Sequence, residues 1–247
     1  MKFYFGTSNP YKVRELASII RPLEVELNIT HSIEPKETAK TFEGNAEIKA
    51  KEYSNYICKK DVRDLLKRRK GLTEKEAKNF LILNETLTIS EDSGIVIPSL
   101  GGLPGPWSAR FSDFSKIDIK RGDVSNYKKS NLSREEIDKK NNERVLKLMN
   151  GMNKLNRSAK FAVSLKVADI NRKIVFSSER ETHGWIAEEI KGKNGFGYDP
   201  IFISESSFGK TWAEIDPMRK NLISHRRKVL QDFTMWLIAQ LKRRENL

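Results

Sequence analysis

Apolar positions recur along the chain with two periods, and those periods mark out its elements. Lys2 to Gly6 is an apolar run expected to form a buried strand. From Pro10, apolar residues fall at Val13, Leu16, Ala17 and Ile20, which is helical spacing. Asn9 stands where an N-cap belongs, and proline suits the first helical position. "VELNIT" alternates as a strand does. A second helix is expected after Phe42, with Ala46, Ala50, Tyr53 and Ile57 on one face. "LTISEDSGIVIPSL" reads as two short strands around a turn at Gly94. Val145, Leu148, Met149 and Met152 mark a further helix. "AKFAVSLKVADI" and "KIVFSSERETHGWI" predict neighbouring strands that turn near Asn171, and a long final helix is expected from near Pro217 towards Lys242. Helices alternate with strands and then strands cluster, which predicts an α/β fold with helices packed on a mixed sheet.

Two stretches break the pattern. Residues 59–84, opening "KKDVRDLLKRRKGLTEKEAK", are highly charged and predict a helical hairpin broken at Gly71. Residues 113–142 are polar and rich in Lys, Asp and Asn. Both read as solvated insertions in one domain spanning 1–247, with a substrate or nucleic-acid contact as the alternative.

Composition narrows the class. The chain has 247 residues, 38% of them hydrophobic, which is enough to bury a core. Its formal net charge is +13, from 46 Lys and Arg against 33 Asp and Glu, a balance that favours anionic partners without choosing among them. The single cysteine, Cys58, excludes an intrachain disulfide and a cysteine metal cluster, and suits a reducing cytoplasm. The N-terminus has no signal-peptide hydrophobic region. The apolar run from Phe233 to Leu241 is too short to span a bilayer.

Candidate chemistry gathers in short blocks. In "TSNPYKVREL" a strand gives way to a helix whose first N–H groups favour an anion. Thr7 and Ser8 add hydroxyls there, and Lys12 adds a charge one turn in. "SEDSG" sets Glu91 and Asp92 at a strand end, where ligands sit in open α/β sheets, and adjacent carboxylates beside phosphate suit Mg²⁺. A turn capped by Asp92 is the alternative. "GGLPGPWSARF" lacks the spacing of a P-loop and reads as a stiff loop. In "GFGYDPIF", Phe196 lies between Gly195 and Gly197, where a ring can approach a flat ligand and Asp199 can accept from a base; an aromatic core turn is equally open. "KNLISHRRKVL" places Lys220, Ser224, His225 and Arg226 as donors for a purine edge or phosphate, or as a solvated helix face. No zinc spacing or G-x-S-x-G elbow occurs, and His31 and His183 read as structural.

With "ETAKTFEGNAEIKAK", these blocks occur in the order of the inosine triphosphate pyrophosphatase family, and the chain resembles that family over both ends and its middle. The two polar stretches have no counterpart in the family's compact pattern. The resemblance implies a two-lobed α/β fold with a long central mixed sheet, a cleft between the lobes as active site, and a homodimer. It implies Mg²⁺-dependent hydrolysis of ITP, dITP or XTP to monophosphate and pyrophosphate. By position, Thr7, Ser8, Asn9 and Lys12 would hold the triphosphate, and Lys49 would reach it from a helix. Glu37 and Asp92 would serve the metal, with Glu91 a further candidate and Asp92 also the base that activates water. Ser93 would line the phosphate end. Phe196, Gly197, Tyr198 and Asp199 would form the base pocket, completed by Lys220, His225 and Arg226. Ser8 stands where the family usually has Gly, and Glu91 where Asp is common. The rival readings are a nucleic-acid-binding protein on this scaffold and a pyrophosphatase for other modified nucleotides. The enzyme reading expects no nucleic-acid or membrane partner.

Overall fold

The computed structural model describes residues 1–7, 9–20, 23 and 25–245. Its elements in chain order are β1 (Lys2–Gly6), α1 (Pro10–Ile20), β2 (Glu26–Thr30), α2 (Phe42–Arg68), α3 (Glu74–Leu83), β3 (Thr86–Val96), β4 (Phe114–Asp118), β5 (Asp123–Tyr127), α4 (Arg134–Leu148), β6 (Ser158–Asp169), β7 (Ile174–Ile186), β8 (Phe202–Ser204), α5 (Pro217–Ile223) and α6 (His225–Glu245). Six strands form a mixed sheet in the order β2-β1-β3-β6-β7-β8, and β4 pairs with β5 apart from it. β1 runs parallel to β2 and β3, whereas β7 and β8 are antiparallel. Among the described residues no helix is long and apolar enough to cross a membrane.

The chain divides into two compact units. The first comprises Met1–Asp92, Ser164–Glu179 and Val229–Leu247; the second comprises Ser93–Val163 and Arg180–Lys228.

In the first unit, Ala46, Ala50, Tyr53 and Ile57 are buried, as the period of α2 predicts. The Thr88 hydroxyl donates to the Ala50 carbonyl at 2.9 Å and ties α2 to β3. The Thr41 side chain caps α2 by accepting from the Gly44 N–H at 3.0 Å. The expected break after α2 is present: Gly71 has φ +84, a conformation glycine adopts freely, and Thr73 and Glu76 form a capping box that starts α3. This hairpin is not solvated throughout. Ala77 and Leu81 are buried, and so is Asp61, which accepts from the Tyr4 hydroxyl at 2.7 Å. The Phe3 ring meets Phe233 edge-on, with centroids 5.7 Å apart.

The second unit has a core of Ile95, Ile97, Phe111, Val145, Met149, Phe202, Trp212 and their neighbours. Three expectations change here. The "SEDSG" segment does not turn: β3 is one strand from Thr86 to Val96. Gly94 serves close packing instead, because a Cβ there would lie 2.2 Å from Ser108 Oγ and 2.8 Å from the Gly105 carbonyl oxygen. The final helix is two helices, broken at Ser224, whose extended backbone (φ −75, ψ 151) lets its hydroxyl accept from the Arg227 N–H at 3.1 Å. Residues 113–142 also carry a hairpin and the first half of α4, and Asp138, Asn141 and Asn142 in α4 are buried. Periodicity misses them because they are polar. His31 and His183 lie at the surface, and His183 is 3.3 Å from Glu181.

Candidate active site

Each unit holds one cluster of the residues singled out by the sequence. In the first, the chain leaves β1 and enters α1 through a local network. Thr7 N–H donates to the Thr30 carbonyl at 3.2 Å, Asn9 N–H to Thr7 Oγ1 at 3.1 Å, and Tyr11 N–H to Asn9 Oδ1 at 2.9 Å. Asn9 therefore caps α1 as expected, and the Thr7 hydroxyl helps shape the loop. Ser8 lies outside the described residues. One turn into α1, Lys12 Nζ sits 3.0 Å from Glu91 Oε1, a carboxylate that is almost wholly buried.

Next to Glu91 in β3 is Asp92. Lys49, from α2, places its ammonium 3.0 Å from Asp92 Oδ1 and 2.7 Å from Glu37 Oε1. Asn45, one turn earlier on the same helix face, donates from Nδ2 to Asp92 Oδ2 at 3.2 Å and accepts the Ala39 N–H at 2.9 Å. Asn45 is fully buried and is not among the residues that the sequence singles out; its signal is a polar residue one turn before Lys49, beside the apolar stripe of Ala46, Ala50, Tyr53 and Ile57. Burial pushes the Asp92 carboxyl above the usual aspartate value, with Lys49 and Lys12 pulling it down and Glu37 pushing it further up. Burial likewise opposes the Lys49 charge, but Asp92 and Glu37 outweigh it and hold that amine above the usual lysine value.

The donor set here is carboxylate oxygen, the ligand type that Mg²⁺ takes. Glu37 and Asp92 already converge on one compact cation, the Lys49 ammonium. Among the described residues no group of three or more His, Cys, Asp or Glu forms a metal cage. Mg²⁺ bound through one or two carboxylates plus substrate phosphates needs no such cage, so the residues present fit that ion.

In the second unit, the loop 195–199 is built around Asp199. Its Oδ2 accepts the Phe196 N–H at 2.8 Å and Lys220 Nζ at 2.5 Å, and the residue is 2% exposed. A side chain at position 195 would collide with that carboxylate, at 1.9 Å, and Gly195 has φ +79. Through Oδ2, Asp199 thus holds its own loop and Lys220. Lys220 Nζ lies 4.6 Å from the centre of the half-buried Phe196 ring, and the Arg226 guanidinium carbon lies 5.8 Å from it, so two cations attend one aromatic face or edge. Arg226 also donates to Ser93 Oγ at 3.2 Å. His225 is buried, with its ring parallel to Phe161 at 5.0 Å and to Trp212 at 5.9 Å. Tyr198 lies in the packed core with its hydroxyl donating to the Ser108 carbonyl at 2.9 Å. The structure therefore brings Phe196, Asp199, Lys220 and Arg226 together, and it assigns Tyr198 to packing.

Comparisons with known proteins place the whole chain in one family. A family model described as the Ham1 family matches residues 3–236. A Campylobacter jejuni protein named dITP/XTP pyrophosphatase is 35% identical over 235 residues, 94% of either chain. A Bacillus subtilis protein of the same name is 32% identical, covering 95% of this chain and 96% of its own. The solved structure of a HAM1 protein from Coxiella burnetii superposes with a TM-score of 0.71 at 26% identity, covering 97% of this chain and 99% of that one.

Proposed function

Because the chain belongs to the Ham1 family, we propose that it hydrolyses non-standard purine nucleoside triphosphates (ITP, dITP and XTP) to the monophosphate and pyrophosphate. The observation that carries this reading is the close grouping of Glu37, Lys49 and the buried Asp92, with the Lys12–Glu91 pair on the adjoining residue. That grouping pairs carboxylates able to hold a divalent cation with amines able to meet phosphate.

A triphosphate carries about four negative charges near neutral pH, and these repel an incoming nucleophile. The first-turn N–H groups of α1, Lys12 and Lys49 would offset that charge. Glu37 and Asp92 would hold Mg²⁺, which when bound supplies further neutralisation of the phosphates. Asp92 would take the proton of a water that attacks the α-phosphorus, and pyrophosphate would leave. Its environment suits a base: buried enough to want a proton, yet flanked by lysines that keep the carboxylate accessible.

Phe196 would stack on the base, with Lys220, His225 and Arg226 around it. Hypoxanthine and xanthine present an acceptor oxygen at the six-position, whereas adenine presents an amino donor. Donors left unpaired against adenine would cost about 1–3 kcal/mol per lost buried bond. The same reading takes the molecule as a cytoplasmic homodimer, with the 59–84 and 113–142 stretches as additions to the compact family pattern.

The test is a nucleotide panel with pyrophosphate detection, with and without Mg²⁺. ITP, dITP and XTP should be cleaved far faster than ATP or GTP, only with the metal, and with pyrophosphate as product. Release of single phosphates would overturn attack at the α-phosphorus. Tight, salt-dependent binding of polynucleotide without turnover would favour a nucleic-acid-binding role instead.

A further inference from the structure

The loop that carries Phe196 is gripped from two sides. Its own side uses Asp199, which accepts the Phe196 N–H at 2.8 Å. The other side belongs to α4, in the stretch that reads from sequence as solvated decoration. Asp138 Oδ2 accepts the Gly197 N–H at 2.9 Å, and Asn142 Nδ2 donates to the Gly197 carbonyl at 2.8 Å. Both polar groups of Gly197 are therefore taken by side chains one helical turn apart, the spacing that puts them on one face of α4.

These side chains are themselves held. Asp138 is 8% exposed and Asn142 3%. Asp138 Oδ1 pairs with Arg134 Nε at 3.1 Å, and Asn142 Nδ2 also donates to the Asp138 carbonyl at 2.9 Å. Their neighbour Asn141 accepts the Ser112 N–H at 2.7 Å and donates to the Ser108 carbonyl at 3.1 Å, which seats α4 on the 105–113 segment. The start of α4 is set by a Ser133–Glu136 capping box. Gly197 has φ +60, and nothing lies within 4 Å of where a Cβ would stand. Glycine thus suits this position for its backbone angle, not for room. The N–H of Phe196 and the N–H that follows it are both anchored, so the backbone from which the Phe196 side chain projects is held by carboxylates on two different elements.

We infer that Asp138 and Asn142 are positioning residues for nucleobase recognition: they set the Phe196 ring where the purine stacks and act on substrate only through it. This rests on the reading that Phe196 meets the base. Losing the clamp releases the ring to other orientations, so it weakens binding and blunts discrimination between bases. It does not touch the groups around Lys49 and Asp92, so turnover at saturating substrate changes little.

The experiment uses the full chain with Mg²⁺ and compares Asp138→Leu, Asn142→Ala, Asp138→Asn and Phe196→Ala. Asp138→Leu and Asn142→Ala should each raise KM for ITP about tenfold, with kcat within about threefold, and lower the preference for ITP over ATP. Asp138→Asn retains an acceptor oxygen and should recover most of the loss. In a Phe196→Ala background, Asp138→Leu and Asn142→Ala should have no further effect on KM, since there is no ring left to position. Should Asp138→Leu not fold, Asn142→Ala and its cycle with Phe196→Ala decide the matter by the same criteria. If Phe196→Ala leaves KM unchanged, the base-stacking reading itself fails. If Phe196→Ala raises KM while folded clamp variants do not, or if the clamp variants lower kcat equally in both backgrounds, the positioning role is overturned and α4 is structural only.

Discussion

Replacing Lys49 by methionine tests the buried charge balance on which the phosphate site depends. Lys49 Nζ lies 2.7 Å from Glu37 Oε1 and 3.0 Å from Asp92 Oδ1, and the three side chains are 12%, 23% and 10% exposed. Methionine keeps most of the volume and removes the cation, so two carboxylates are left near one another with little water. Breaking a buried pair in this way costs about 3–5 kcal/mol; the partial exposure of Glu37 argues for the lower end, near 3 kcal/mol at pH 8. The loss should depend on pH in a definite sense. Burial already raises the Asp92 carboxyl, and removing its strongest attractive partner raises it further. A carboxyl whose folded pKa exceeds its unfolded value destabilises the protein as pH rises through that interval, by up to about 1.4 kcal/mol per pH unit. The stability difference between wild type and Lys49→Met should therefore be smaller at pH 5 than at pH 8, because the variant gains more from protonating Asp92 as pH falls. Urea unfolding in metal-free buffer at the two pH values measures it. An equal loss at both would show that Lys49 does not neutralise Asp92 and would remove the electrostatic argument for the site.

Other consequences follow from single contacts. Asp92→Asn should abolish turnover while leaving nucleotide binding measurable by calorimetry. In metal-free buffer its stability relative to wild type should also be greater at pH 8 than at pH 4, because wild-type Asp92 is destabilising once pH passes above its unfolded value. Arg157 is 5% exposed and donates to the backbone carbonyls of Ile186 at 2.8 Å and Met149 at 2.9 Å, and to that of Ala187. Arg157→Met leaves those acceptors unpaired and should cost about 3 kcal/mol, seen as a Tm fall of roughly 6–12 °C by calorimetry. Gly94→Ala places a methyl 2.2 Å from Ser108 Oγ and 2.8 Å from a backbone oxygen. It should destabilise by about 1–3 kcal/mol in urea unfolding; an unchanged midpoint would show that the 105–113 segment yields easily.

Much of this molecule is legible in one dimension, for a physical reason. β1, α1, the start of α2, and the β6–β7 pair lie where apolar period and caps put them, because burial of one face and satisfaction of helix-end N–H groups are local demands. Asp92 stands out as a strand-end carboxylate and Lys49 only through its block's resemblance to a known family, and their meeting at 3.0 Å spans 43 positions that no periodicity connects. What only the tertiary structure decided concerns polar groups and glycines. Gly94 looked like a turn and proved to be a clearance for Ser108. Asp138 and Asn142 looked solvated and proved to hold a distant loop through its Gly197 peptide groups. A hydrophobic pattern reports which side chains leave water, whereas a buried carboxylate or amide is retained for a partner elsewhere in the chain, and that partner is known only once the chain has folded around both.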